Sequence, residues 1–150
     1  MATYARVLKA RSNADWTVVS NAVTLQSIAT FPTCAAGSNT VTHFGIGYEA
    51  IGGGNGLAFF GAVTPNIVVS AGVTPKLDTS TNVTQATSDA MTTAAANSFL
   101  LLFFNNTDWA VVGDAAGLQN SAAAGNLYVS LHTASPAEGG NQATSECNYT

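Results

Sequence analysis

The chain has 150 residues, of which 47% are hydrophobic and only 8% charged, with eight acidic against four basic side chains and a net charge of −4. This composition excludes a disordered chain, which would be poor in apolar residues and rich in charge. It also argues against nucleic-acid binding, which needs a basic stripe to neutralise phosphates.

An average domain carries about 25% charged residues, so the low charge suits an extracellular-style β protein or, as the preferred reading, a subunit that covers much of itself with neighbours. The length suits one domain, burying roughly 70% of the surface exposed when unfolded. The N-terminus lacks the charged segment, apolar run and cleavage site of a secretory signal, and synthesis in a cytoplasm is expected. The longest strongly apolar run, residues 99–104, is far below the ~20 residues of a membrane-spanning helix, so no membrane partner is expected. Cys34 and Cys147 are too few for a disulfide framework and read as small buried hydrophobes.

In chain order, residues 3–10 alternate Tyr4, Arg6 and Leu8 with Ala5, Val7 and Lys9, which suits a strand. A turn at 12–15 and a second strand at 16–20 predict a hairpin with the first. Asn21 breaks the run, residues 22–25 resume it, and 27–31 are extended up to Pro32. Residues 40–47, TVTHFGIG, make the best central strand of the first half. Two glycines so close within it imply a bulge or the near approach of another backbone. GGGNG at 52–56 reads as the turn into the apolar strand 57–63. Pro65 and Pro75 bracket a further strand at 66–70, and each belongs at a strand start or a sheet edge. The Thr-rich stretch 77–88 reads as a linker or an edge arm.

One helix is expected at about 89–104, with Ser88 as N-cap, Asp89 in its first turn and Asn105 and Asn106 as terminators. Its apolar face is read as Met91, Ala94, Ala95, Phe99, Leu102 and Phe103. Residues 113–125 form a small-residue loop. The last stretch, LYVSLHTASPAEGGNQATSECNYT at 127–150, begins as a strand and runs into a long polar loop. One helix among many strands gives a mainly β, single-domain β-sandwich or barrel with one covering helix.

Candidate chemistry is sparse. His43, His132, Cys34 and Cys147 lack the close paired spacing of a structural zinc site, so no metal is expected. Ser130 and His132 share a strand face, but there is no nucleophile elbow and the acidic residues are scattered. GGGNG lacks the Lys-Ser/Thr ending of a phosphate loop. No catalytic or cofactor-binding residue is assigned, and the chain reads as a non-enzyme. Trp16, Trp109, Phe59 and Phe60 could line a carbohydrate site, but core packing is the stronger reading.

Several segments carry a resemblance: YVSLHTASPAEGGNQATSE at 128–146, YARV at 4–7, the strand around 16–18, FPTC at 31–34, TVTHFGIG at 40–47 and ANSFLLLFFNNTDW at 96–109. Together they resemble a family of tailed-bacteriophage virion proteins labelled head decoration, cement or tail fibre proteins. In that family the helix comes first, then the LHTA strand, the YARV strand and HFGIG. Here the order is rotated, so the chain resembles a circular permutant whose 77–88 linker joins the old ends. Joining 148–150 to 2–7 would restore one continuous strand, as termini lying close together allow.

The resemblance implies a virion protein on the capsid surface, made in the bacterial host and partnered by the major capsid protein and by itself, as a homotrimer. Tyr4, Arg6, Glu146, Tyr149 and Thr150 are expected at a subunit or capsid contact, closing the sheet within one subunit or crossing to a neighbour. The alternative is a tail-fibre or baseplate subunit with a host-recognition role.

Overall fold

A computed structural model describes residues 3–54, 56–85, 91–110 and 112–150. The chain is mainly β with one helix, as its patterning predicts. Its contacts gather into two compact units, one of residues 1–9, 28–77 and 127–150, the other of 10–27 and 78–126.

The first unit is built on a four-stranded sheet of β1 (Val7–Ala10), β9 (Asn126–His132), β5 (Ser38–Gly47) and β6 (Leu57–Ser70), in that spatial order. TVTHFGIG is indeed central, because β5 pairs antiparallel with β6 on one side and with β9 on the other. Val41, Phe44 and Ile46 of β5 and Leu127, Val129 and Leu131 of β9 are buried. Burial of such side chains contributes about 1.5–3 kcal/mol each. The glycine-rich turn joins β5 to β6 as expected.

The two strands read at 57–63 and 66–70 are instead one strand, β6, passing through Pro65. The pairing register jumps there, from Val41↔Ile67 to His43↔Ala62, leaving residues 63–66 as a wide bulge opposite Thr42. β6 lies at the sheet edge, where a residue without an amide hydrogen is tolerated. The same unit holds a two-stranded sheet of β4 (Ala29–Thr30) and β7 (Lys76–Leu77).

In the second unit β2 (Trp16–Val19), β3 (Ala22–Leu25) and β8 (Asn82–Thr84) form an antiparallel sheet in that order. The predicted hairpin between 4–11 and 16–20 is not formed. β2 turns directly into β3 through Ser20 and Asn21, with Ser20 at φ 56, as the first position of a two-residue hairpin loop allows. The 11–15 turn is held otherwise, by Asp15 accepting from the Ala10 amide at 2.7 Å and from Ser27. Of the Thr-rich stretch, residues 82–84 are an edge strand of this sheet.

The helix α1 (Thr93–Asn105) packs on β2 and β3. Thr92 is its N-cap, its hydroxyl accepting from the Ala95 amide at 3.2 Å; the expected cap Ser88 and the first-turn Asp89 lie outside the described residues. Asn106 ends the helix in the left-handed conformation, as its type favours. The buried stripe is Ala96, Leu100 and Phe104, rotated from the expected one. Apolar residues all round this segment leave the choice of face to the sheet beneath. Trp16 is buried against Phe104, with ring centroids 4.8 Å apart, which makes it a core residue.

Candidate functional site: the terminal joint

The five residues singled out at the chain ends come together in the first unit, within a single chain. The polar loop 133–144 turns back on itself. Ala137 adopts a positive φ, and the Gly140 amide donates to its carbonyl. A side chain on Gly140 would place its first carbon 1.9 Å from the Pro136 carbonyl oxygen. The neck of this loop is closed by the Thr133 amide donating to Ser145 and by a bridge between His132 and Glu146. The Cys147 amide then donates to Leu131 at 2.7 Å. The final residues thereby run antiparallel to the end of β9.

The N-terminal segment lies alongside the same residues. The Tyr4 amide donates to the Tyr149 carbonyl at 3.0 Å, and the two rings meet edge to face. The Tyr4 hydroxyl accepts from the Leu131 amide at 2.9 Å. The Tyr149 hydroxyl donates to the Pro32 carbonyl, and the Thr150 carbonyl accepts from the amides of Ala35 and Ala36. Glu146–Cys147 and β1 do lie along the same edge of β9, opposite β5, but, contrary to the expectation of two halves of one strand, 146–150 and 2–8 are not one continuous extended strand. Along one strand Tyr149 and Tyr4 would sit several 3.3 Å steps apart, too far for a main-chain hydrogen bond. They lie side by side because the chain leaves β9 after Cys147, the Tyr149 carbonyl accepting from Tyr4 and the Thr150 carbonyl from Ala35 and Ala36.

Arg6 is the hub of this joint. Its Nε and Nη2 donate to Glu146 Oε1 and Oε2 at 2.7 and 2.8 Å, while Nη1 and Nη2 donate to the carbonyls of Glu49 and Gly52 at 2.9 and 2.6 Å. The Arg6 side chain is 3% exposed. The bidentate carboxylate raises its pKa from the ordinary arginine value, as a fork-to-fork pair favours the charged form. Burial, and next the nearby Glu146 charge, push the Tyr4 hydroxyl pKa well up. Burial pushes the Tyr149 hydroxyl up to about 12 and the Cys147 thiol up to about 11. All three stay protonated at neutral pH.

Behind the joint, Ser130 and His132 meet at 2.9 Å, both at 0% exposure. His132 Nδ1 lies 2.8 Å from the Thr144 carbonyl, which can only accept, so Nδ1 carries the proton and Nε2 accepts from the Ser130 hydroxyl. Gly45 makes room for the pair: a side chain there would start 2.6 Å from Ser130 Oγ and 2.7 Å from His132 Nε2. The closely spaced glycines of TVTHFGIG point to a bulge or the approach of another backbone, which is what Gly47 meets in the Gly56 carbonyl; at Gly45 it is side chains that approach. A hydroxyl held by an imidazole has the form of an activated nucleophile, but here both side chains are fully buried.

Among the described residues no group of three or more His, Cys, Asp or Glu side chains gathers where a metal could be held. None of the helices described is long and apolar enough to cross a membrane. Sequence reasoning found the five end residues but not the loop they hold: Gln142 is buried, accepting from the Glu49 amide and donating to the Tyr128 carbonyl.

In comparisons with protein-family models, curated proteins and solved structures, nothing matches the chain.

Proposed function

We propose that the chain is a non-enzymatic structural protein of a phage virion, a capsid decoration protein that cements the head by binding across capsomers. The carrying observation is β6. It is 14 residues long, at the edge of its sheet, and has no charged residue. Typical strands run about 5–6 residues, and natural edges are shortened or protected by charge, proline or bulges, because an open row of amides and carbonyls recruits other strands. Val68 on this edge is 67% exposed. Pro65 and the bulge at 63–66 interrupt this edge once, but the uncharged stretches 57–62 and 67–70 on either side of them suit a protein that works with that edge covered by another chain.

The resemblance of residues 4–7, 40–47 and 128–146 to virion proteins supplies the kind of assembly, and a homotrimer on the major capsid protein is the form proposed. The test is to heat purified particles with and without the protein. Decorated heads should rupture at a higher temperature, and an unchanged rupture temperature would count against cementing.

The second reading, a tail-fibre or baseplate subunit with a recognition role, is favoured by Tyr48, an aromatic exposed beside the glycine loop. Aromatic side chains are enriched at recognition surfaces. Immunogold labelling of the tail rather than the head would select it.

A further inference from the structure

We infer that residues 141–150 are an exchangeable arm, which seats in the groove of a second copy of the chain as it does in its own; the inference rests on the homotrimeric form proposed above. The seated arm shows what the groove fits. Gln142 donates to the Tyr128 carbonyl and accepts from the Glu49 amide, and Glu146 binds Arg6 through two hydrogen bonds. The Cys147 amide donates to Leu131 and the Tyr149 hydroxyl to Pro32, while Thr150 and Ala36 each donate an amide to the other's carbonyl. Gln142, Cys147 and Tyr149 are 0%, 1% and 2% exposed, so an empty groove would open the first unit to water. None of these contacts involves the stretch 134–140 before the arm. A second copy presents the same groove, and exchange keeps every one of them.

What differs between a closed and an exchanged arm is the hinge, residues 134–140. Five of its seven residues, Ala134, Ser135, Ala137, Glu138 and Gly139, are exposed. Closing it within one chain holds Ala137 at φ 57, in the left-handed region that a residue with a Cβ disfavours. It also packs Gly140 so close to the Pro136 carbonyl that a side chain cannot fit. An exchanged hinge runs extended, which releases Ala137 and suits the fixed φ of Pro136. Hinges under strain invite exchange for this reason. Seven extended residues reach roughly 23–25 Å, enough to cross to an adjoining subunit. Within a homotrimer the neighbour's groove stands at the high effective concentration of a tethered site, so relief at the hinge decides which groove the arm takes.

The test is a disulfide trap. Ala36 and Thr150 form a hydrogen-bonded pair, whose Cα atoms lie about 5.5 Å apart, within disulfide range, and both residues are exposed. The full chain carrying Ala36→Cys and Thr150→Cys, with Cys34→Ala and Cys147→Ala, is oxidised with glutathione disulfide and run on a non-reducing gel. Exchanged arms link chains to one another, and adding Ala137→Gly should lower the linked fraction roughly fivefold or more. Chains bridged only internally overturn the exchange. Sedimentation velocity of the wild type then separates the readings: an oligomer leaves the homotrimer standing and a monomer overturns it too, while capsid rupture tests cementing independently. Equal linking by Ala36→Cys without Thr150→Cys reports chance collisions and overturns the exchange. Should the cysteine chain not fold, labelled and unlabelled wild type are mixed and followed by native mass spectrometry. Subunit mixing that Ala137→Gly speeds several-fold supports the exchange, and mixing at an unchanged rate overturns it.

Discussion

Arg6 and Glu146, 140 positions apart in sequence, form a two-pronged ion pair with the arginine almost fully buried. Removing Arg6 leaves the Glu146 carboxylate, 18% exposed, without its two charged donors, a loss of about 1.5–3 kcal/mol. Arg6→Ala should therefore lower the unfolding free energy by about 1.5–3 kcal/mol in urea titration. Arg6→Lys should recover only part of that loss, because an ammonium cannot reproduce the fork that also holds Glu49 and Gly52. Equal stability of Arg6→Ala and wild type would show that the joint does not hold the unit together.

Gly47 gives a sharper steric prediction. A side chain there would place its first carbon 2.0 Å from the Gly56 carbonyl oxygen and 2.4 Å from the Gln142 amide. The nearest obstacle is backbone, which cannot swing aside, so Gly47→Ala should destabilise by roughly 3 kcal/mol or more. At Gly52 the space is open, but φ is +95°, so Gly52→Ala should cost only about 1 kcal/mol. The two urea midpoints, measured side by side, separate crowding from backbone conformation.

What the sequence makes legible here is local. The alternation and glycines of TVTHFGIG identify β5, and GGGNG identifies the turn beyond it. Asn106 ends its helix because its own side chain tolerates left-handed backbone. Pairings between distant segments are not written in any one window: β1 finds β9 rather than β2, a choice made by the 11–15 turn. The helix face could not be read because every residue from 99 to 104 is apolar. At the joint, the expectation of a subunit or capsid contact at Tyr4, Arg6, Glu146, Tyr149 and Thr150 comes from the resemblance and the rotated segment order, not from any pattern in their own windows. Whether they meet end to end or side by side depends on how the chain leaves β9 after Cys147, which is set by hydrogen bonds to Tyr4, Ala35 and Ala36 that carry no periodicity.

Arg11 illustrates a contact without local signal and supports its own prediction. Its guanidinium donates to the carbonyls of Leu102 and Phe103, at the end of α1, and to that of Ala124. The last turn of α1 contains no basic residue, so Arg11 supplies from afar the cation that a helix C-terminus favours. Arg11→Met keeps most of the apolar stem and removes the donors. It should cost about 1–2 kcal/mol, with the loss of helical circular dichroism setting in at lower urea than in wild type.

Acid should act on the first unit through His132. Burial lowers its pKa below the ordinary histidine value, only partly opposed by the hydrogen bond to Thr144 and the nearby Glu146 charge; the charges of Arg6 and His43 lower it further. His43 stands directly across from it on β5. The folded state thus binds fewer protons than the unfolded one between the lowered pKa and about 6.5. Unfolding free energy therefore rises with pH in that window. The contribution is complete above about pH 6.5 and is lost as pH falls through the folded value. Protonation also ends the acceptance of the Ser130 hydroxyl proton by Nε2, which loosens the end of β9 where the C-terminal residues pair. His132→Gln keeps a polar group in the space but cannot titrate, so it should flatten the slope of stability between pH 6.5 and 4 whatever it costs at neutral pH. An unaltered slope in that variant, from urea titrations at each pH, would assign the acid sensitivity to the carboxylates instead.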